Sequence, residues 1–218
     1  MKTVLLIHGW LSTPKMHFFP WLKKELETRG YTVVAPQMPN PALPKRAEWL
    51  ATLSDMLHAI DRPEETILLG HSLGTLTILH YLNEIHQGAA FPHVVLCSGF
   101  GRAFSLPQPI DIPRLNEYPK LIAMREKILA LPEVVLRDWF EPTIDFDRVR
   151  HLARRWTCIH APDDPVVPYA EGVYAAQQLG ATFVEETNGH LIEFRVNGRM
   201  ALPSALEAIV STEDDLSA

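Results

Sequence analysis

The segment that most constrains the fold of this chain is the pentapeptide Gly-His-Ser-Leu-Gly at residues 70–74. The apolar run Ile67–Leu69 before it is typical of a buried strand, and the residues after it have helical spacing. A strand that turns at once into a helix leaves little space beside the turn, so small residues are needed on both sides of Ser72. Gly70 and Gly74 supply them. This pattern predicts a sharp, strained turn with Ser72 at its tip. The alternative is an ordinary turn in which Ser72 caps the helix.

The rest of the chain alternates short apolar runs with segments of helical periodicity, which predicts a doubly wound, mainly parallel, six-stranded α/β sheet. Strands are predicted at Val4–Ile7, Tyr31–Ala35, Thr66–Leu69, Val94–Cys97, Trp156–His160 and Ala181–Glu185. Helices are predicted around 18–26, 45–60, 72–86, 148–154, 170–179 and 202–210. The alternation breaks at residues 101–153, which contain six prolines. We expect one domain over residues 1–218, with a helical insert at 101–153 after the fourth strand, placed to form a small lid.

Charge and composition argue against several classes of protein. The formal net charge is −6, and no cluster of lysine and arginine would follow a phosphate backbone, so nucleic-acid binding is not expected. No apolar stretch approaches the roughly 18 residues of a membrane span, and the first apolar run is too short for a signal peptide. We expect a cytoplasmic protein that does not bind membranes. Cys97 and Cys158 lie outside any Cys-x-x-Cys pattern, so buried reduced thiols are favoured over a disulfide or a zinc site.

Three groups of polar residues follow predicted strands at their carboxyl ends, where the reactive groups of an open parallel sheet gather. Ser72 follows the third strand, Asp163 and Asp164 follow the fifth, and His190 follows the sixth. A serine hydroxyl is a weak nucleophile until a base removes its proton, and imidazole titrates near neutral pH. A buried carboxylate can hold that imidazole in the required tautomer and stabilise its protonated form. The order Ser, Asp, His therefore predicts a nucleophile, an acid and a base at one edge of the sheet.

Four motifs in this order resemble those of the α/β-hydrolase superfamily. They are His8-Gly9, Gly70-His71-Ser72-Leu73-Gly74, Asp164-Pro165-Val166-Val167-Pro168 and Gly189-His190. The resemblance spans essentially the whole chain. More narrowly, the short chain without N-terminal strands resembles the small serine hydrolases related to retinoblastoma-binding protein 9. The resemblance implies a reduced α/β-hydrolase fold.

The same resemblance implies a catalytic triad of Ser72, Asp164 and His190. Asp164 is the Asp of the D-x-x-V-P pattern. Asp163 is the alternative acid, and a structural role for it would be to cap the turn through its own backbone. The expected reaction is hydrolysis of a small or medium acyl ester or thioester through an acyl-enzyme intermediate on Ser72. No metal or cofactor is implied.

The resemblance also implies an oxyanion hole formed by the backbone N–H groups of Trp10 and Leu73. Three further histidines have simpler interpretations. His8 is expected to support the oxyanion loop by hydrogen bonding, His71 to pack at the variable position of the turn, and His160 to be a hydrogen-bonded core residue.

Two other classes of function are weighed against the hydrolase. A catalytically weak or inactive member of the fold, acting as a protein-interaction module, is disfavoured because Ser72, Asp164 and His190 are all present. A nucleotide-cofactor-binding sheet would need a Gly-rich phosphate loop after the first strand, and His8-Gly9-Trp10-Leu11-Ser12 does not match G-x-G-x-x-G. The expected partner is a small acyl substrate, and the oligomeric state stays open between monomer and weak dimer.

Overall fold

A computed structural model describes residues 2–104, 136–187, 189–192, 195–196 and 198–211. Its centre is a six-stranded sheet made of β1 (Thr3–Ile7), β2 (Thr32–Val34), β3 (Thr66–His71), β4 (Val94–Cys97), β5 (Trp156–His160) and β6 (Thr182–Glu185). The strand order is β2-β1-β3-β4-β5-β6, and each neighbouring pair is parallel. The predicted parallel sheet is confirmed, and every predicted strand agrees with the structure to within two residues at each end.

Helices connect the strands as the alternation predicts. They are α1 (Phe19–Thr28), α2 (Arg46–His58), α3 (Leu73–Glu84), α4 (Phe146–Val149), α5 (Tyr169–Leu179) and α6 (Pro203–Val210). The helix predicted at 148–154 is wrong in its bounds. The Asp145 side chain accepts a hydrogen bond from the backbone N–H of Arg148 at 3.1 Å and so begins α4 at Phe146. A 3₁₀ turn, Arg150–Leu152, then leads to β5.

The two faces of the sheet bury separate cores. Successive side chains of a strand point to opposite faces, so Leu5 and Ile7 of β1 pack with α2, α3 and α5, whereas Val4 and Leu6 pack with α1 and α6. A strand covered on both faces has to be apolar throughout, which is why the sequence shows continuous runs rather than alternation.

Cys97 and Cys158 are both buried and unpaired. They lie in the neighbouring strands β4 and β5, but Cys97 belongs to the core on the α1 and α6 side, and Cys158 to the core on the opposite side. Their side chains point away from each other across the sheet, so a disulfide between them is ruled out by geometry. Burial raises the pKa of both thiols.

The predicted insert at 101–153 is described only at its two ends, because residues 105–135 lie outside the described residues. After them come a 3₁₀ turn, Arg137–Trp139, and α4. The rings of Phe104, before the gap, and Phe140, after it, both contact the buried ring of Phe100, with centroid distances of 5.1 and 6.2 Å. The centroids of Phe104 and Phe140 are 6.3 Å apart. We call these three rings the aromatic cluster.

One element was not predicted. Two-residue strands β7 (Arg195–Val196) and β8 (Arg199–Met200) form a small antiparallel pair between β6 and α6. Segments this short carry no periodic signal in the sequence.

Candidate active site

Ser72 lies in the turn between β3 and α3 with φ 53° and ψ −122°, a conformation that residues with a side chain rarely adopt. Backbone closes the turn on both sides. A Cβ on Gly70 would lie 2.7 Å from the backbone of Gly74, and a Cβ on Gly74 would lie 2.2 Å from the carbonyl oxygen of Ile7. The Ser72 hydroxyl makes no capping hydrogen bond to α3, so its interpretation as a helix cap is wrong. The strain is not offset by a structural hydrogen bond of this side chain.

The loop after β1 passes directly over Ser72. A Cβ on Gly9 would lie 2.9 Å from the Cβ of Ser72 and 3.4 Å from its Oγ, so the next residue, Trp10, is brought beside the serine. The Trp10 indole is fixed elsewhere, since its Nε1 donates to the carbonyl oxygen of Ala42 at 3.0 Å. The backbone N–H groups of Trp10 and of Leu73, the first residue of α3, donate to no other described residue. Because neither N–H has an acceptor among the described residues, both remain candidates for the predicted oxyanion hole.

His8 supports this loop, as predicted. Its Nε2 accepts a hydrogen bond from the backbone N–H of Met38 at 3.0 Å, so the proton of the neutral ring is on Nδ1 and is donated to the carbonyl oxygen of Gly9 at 2.9 Å. Burial lowers the pKa of His8, which keeps the ring in this neutral state.

Asp164 and His190 are in direct contact. His190 Nδ1 donates to the carboxylate of Asp164, at 2.8 Å from Oδ2 and 3.0 Å from Oδ1. The backbone N–H groups of Val166 and Val167 donate to Oδ1 at 2.8 and 2.9 Å. Burial alone would raise the pKa of the Asp164 carboxyl, but the charge of His190 and these hydrogen bonds outweigh burial and hold that pKa below its usual value. Asp164 is therefore ionised at neutral pH, and Nε2 is the nitrogen of His190 left to accept a proton.

Asp163, the alternative acid, has a different contact. Its Oδ1 accepts a hydrogen bond from the backbone N–H of Gly189 at 3.1 Å. Gly189 has φ 53°, and it directly precedes His190. The structural alternative, in which Asp163 caps its own turn, is not observed, because its carboxylate accepts from the loop that carries His190. Sequence spacing alone gives no sign of this contact, since it depends on how the loop after β6 turns.

His71, the residue directly before Ser72 in the chain, contacts His190. The His71 ring lies 4.9 Å from the His190 ring between centroids, and its Nε2 is 2.9 Å from the backbone carbonyl oxygen of His190. His71 thus does more than pack, which is all that was expected of it. The Ser72 hydroxyl itself forms no hydrogen bond with any of the described side chains or backbone groups. In enzymes without substrate this contact is often long and tightens only when substrate binds.

His160 lies in β5 behind the acid. Its Nε2 donates to the carbonyl oxygen of Val167 at 3.0 Å and is 3.5 Å from Oδ2 of Asp164. Its Nδ1 is buried without a hydrogen-bond partner, so the predicted core histidine is satisfied at one nitrogen only. Burial lowers its pKa, and a neutral ring is the state that suits this position.

Within the part of the chain that the structure describes, no three His, Cys, Asp or Glu side chains are grouped so that they could hold a metal ion. No helix among the described residues is both long and apolar enough to cross a bilayer.

A family model described as serine hydrolase matches residues 4–206 of this chain. The chain belongs to the serine hydrolase family. It is 28% identical over 211 residues to YdeN of Bacillus subtilis (strain 168), a protein named as a hydrolase, and the match covers 96% of this chain and 95% of that protein. Over 81 residues it is 33% identical to the serine hydrolase RBBP9 of Rattus norvegicus, which covers 37% of each chain.

Solved structures agree with this fold. The crystal structure of the ydeN gene product from B. subtilis is similar with a TM-score of 0.77 and 30% identity, covering 98% of this chain and 100% of that one. A thermophilic esterase from Thermogutta terrifontis is similar in fold, with a TM-score of 0.69 and 17% identity over 100% of this chain and 91% of that one. The α/β-hydrolase fold and the resemblance to small serine hydrolases are thus confirmed.

Proposed function

We propose that this serine hydrolase cleaves a small or medium, uncharged acyl ester or thioester through an acyl-enzyme intermediate on Ser72. The observation that carries the proposal is the backbone of Ser72. Its hydroxyl forms no hydrogen bond with the described residues, and the N–H groups of Trp10 and Leu73 have no acceptor among them. A strained residue in such a setting is typical of a nucleophile rather than of a structural turn. The esterase among the similar folds supports the ester class.

In the first half of the reaction, the Ser72 oxygen attacks the carbonyl carbon of the substrate, and Nε2 of His190 takes the hydroxyl proton. Asp164 keeps the proton of the neutral ring on Nδ1 and stabilises the imidazolium that forms. The backbone N–H groups of Trp10 and Leu73 hydrogen-bond the negative oxygen of the tetrahedral intermediate. Two such preorganised donors lower the barrier by several kcal/mol.

The intermediate then collapses, and His190 donates its proton to the leaving alcohol or thiol. A water molecule enters and gives a proton to the same nitrogen as it attacks the acyl carbon on Ser72. His190 finally returns the proton to Ser72, and the acid leaves. The chemistry balances without a metal or a cofactor.

Chemical labelling tests the nucleophile. A fluorophosphonate probe should add once to the wild-type protein, read by intact mass, and should not add to Ser72→Ala. Labelling of His190→Ala should be strongly slowed. Ser98→Ala is a matched control, because Ser98 also follows a sheet strand with positive φ (47°) but is fully buried, so this variant should be labelled like the wild type. A folded wild-type protein that takes no label would contradict the proposal and favour the interaction module.

The acyl group is tested with substrates. A series of p-nitrophenyl esters and acyl thioesters of graded chain length separates small from medium acyl groups, and esters from thioesters. The proposal expects turnover of short or medium uncharged chains, with all turnover lost in Ser72→Ala. Turnover confined to charged substrates or amides would contradict the proposed class.

A further inference from the structure

Among the described residues, side chains of three other residues hydrogen-bond to the loop that carries His190, and these three contacts hold it in different ways. Two of them come from the loop after β5, where Asp163 accepts from the N–H of Gly189 and Asp164 accepts from the ring of His190. These two fix the histidine to the acid, but neither connects it to the serine. The third is His71 in β3, directly before Ser72, whose Nε2 reaches the carbonyl oxygen of His190 at 2.9 Å.

The protonation state of His71 follows from its surroundings. A carbonyl oxygen can only accept, so Nε2 of His71 carries a proton and donates it. Nδ1 is buried and has no hydrogen-bond partner among the described residues, and the ring contacts the rings of His17, Phe18, Phe19 and His190. A second proton would place an unpaired charge in an enclosed site beside the base. Burial and the charge of His190 hold the pKa of His71 well below its usual value, in line with a neutral ring that is protonated only at Nε2.

We infer that His71 is a positioning residue for the base, because its Nε2–H holds the backbone of His190 against the turn that carries Ser72. The inference rests on the proposed function. Since the other two contacts both lead to the loop after β5, loss of the His71 hydrogen bond lets the acid and the base shift together, away from the serine. The Asp164–His190 pair would survive such a shift, and the serine–histidine distance would not. A displacement of about 1 Å at reacting groups can cost roughly 100-fold in rate.

Paired substitutions separate the hydrogen bond from simple packing. In His71→Gln the side-chain amide can reach the place of Nε2 and donate to the same carbonyl, whereas the shorter side chain of His71→Asn cannot. We expect His71→Asn to lower kcat by about 30-fold to 100-fold with KM changed little, and His71→Gln to stay within about fivefold of the wild type. Equal losses in the two variants would overturn the proposal, and so would a wild-type kcat in His71→Asn.

His93→Asn is the matched control. His93 is also a fully buried histidine with one hydrogen bond, from Nε2 to Oγ1 of Thr157 at 2.9 Å, and with an unpaired Nδ1, but it lies just before β4, at the other edge of the sheet. Its substitution should lower the melting temperature without lowering kcat of the folded enzyme. A drop in kcat as large as that of His71→Asn would show that the effect is general and would overturn the inference.

A spectroscopic readout tests the contact independently of turnover. The nitrogen chemical shifts of His71 in the wild-type protein should be those of a neutral ring protonated at Nε2, unchanged from pH 8 to pH 6. Protonation at Nδ1, or titration of His71 within that range, would overturn the inference. If the wild type takes no fluorophosphonate label while His71 has the expected tautomer, then the proposed function has failed and the contact stands as structural only.

Discussion

The loops at the carboxyl edge and at the amino edge of the sheet differ in which residue types have positive φ. Among the described residues, six that are not glycine have positive φ, and all six follow a strand at the carboxyl edge: Leu11, His17, Asn40, Ser72, Ser98 and Leu191. At the amino edge, where helices lead into strands, positive φ in the described chain belongs to Gly30 and Gly180. At the carboxyl edge most of these turns retain a side chain, although Gly189 also has positive φ there, whereas at the amino edge the chain reverses direction with glycine.

The difference has a physical meaning. A left-handed conformation costs a residue with a Cβ roughly 1–2 kcal/mol, and glycine avoids that cost. A turn that only has to reverse the chain therefore uses glycine, as after α1 and α5. Retaining a side chain at such a position is favourable only where the side chain itself has a role. Two of these positions adjoin the candidate site, since the His17 ring contacts that of His71 and Leu191 directly follows His190. The non-glycine residues with positive φ therefore lie at the same edge of the sheet as the candidate site.

The largest difference between the two edges is expected when the predicted acid at the carboxyl edge is replaced. Asp164→Asn keeps the shape of the side chain but cannot stabilise the imidazolium or enforce the tautomer of His190, so we expect kcat to fall by about 10⁴-fold. We expect the free energy of unfolding to fall by much less than the activation free energy of the reaction rises. Steady-state kinetics on p-nitrophenyl esters measures it.

Asp163→Asn is the control for that variant, since Asp163 holds the backbone of the same loop and does not contact the imidazole. We expect a loss of about tenfold or less, because the amide oxygen of Asn can still accept from the N–H of Gly189 and only the charge of the acceptor is lost. If Asp163→Asn lost as much activity as Asp164→Asn, the assignment of the acid would be wrong.

The next largest effect is steric and concerns stability. A Cβ on Gly74 would lie 2.2 Å from the carbonyl oxygen of Ile7 and 2.8 Å from that of His8, and backbone atoms of a central strand cannot move aside. We expect Gly74→Ala to lower the free energy of unfolding by about 4 kcal/mol, or to prevent folding. Urea unfolding measures the change, and a midpoint equal to that of the wild type would refute the closed geometry of this turn.

The third prediction concerns the amino edge and the pH dependence of the free energy of unfolding. Burial, together with the charge of Arg155, lowers the pKa of His93 to about 4 in the folded protein, against about 6.5 in an unfolded chain. Between these values the unfolded state binds more protons, so the stability contributed by His93 is complete above pH 6.5 and is lost as pH falls to 4. The loss is about 3 kcal/mol.

His93→Gln should remove that part of the pH dependence while leaving kcat unchanged at neutral pH. Free energies of unfolding at pH 7 and pH 4.5, determined for both proteins, give the comparison. The same slope in wild type and variant would mean that His93 is protonated in the folded state.

The smallest expected effect comes from Gly180, which ends α5 with φ 64° and has open space where a Cβ would stand. Gly180→Ala should cost about 1 kcal/mol of stability, since only backbone strain is added, and activity should not change. A loss of stability comparable with that of Gly74→Ala would break the contrast between the two edges.

Much of the fold was predictable because burial on both faces forces each strand to be a continuous apolar run, and the runs at Val94–Cys97 and Trp156–His160 match the observed strands residue for residue. The β7–β8 pair was not predictable, since two-residue strands have no period to detect. The start of α4 was predicted too late. It depends on the Asp145 side chain, which accepts a hydrogen bond from one backbone N–H, whereas the prediction followed the helical spacing of the residues after it.

For the site, the chain order of Ser72, Asp164 and His190 together with the motif resemblance was enough to nominate all three, and their catalytic roles stay predictions. The contacts that hold them were not predictable. Asp163 reaches Gly189, and His71 reaches the carbonyl of His190, through backbone groups whose position is set by two loops from distant parts of the chain. The spacing of residues in a sequence can indicate which side chains belong to a site, but it does not indicate which backbone atoms those side chains contact.

The aromatic cluster has a consequence for how proteins of this kind can diversify. Phe104 and Phe140 rest on the same buried ring of Phe100, so the chain leaves the sheet and returns to it at one place. The entropy of closing a loop between fixed, neighbouring ends grows only slowly, by about 0.6 kcal/mol for each doubling of length. We therefore expect segments of different length to be tolerated between these two phenylalanines at little cost in closure entropy.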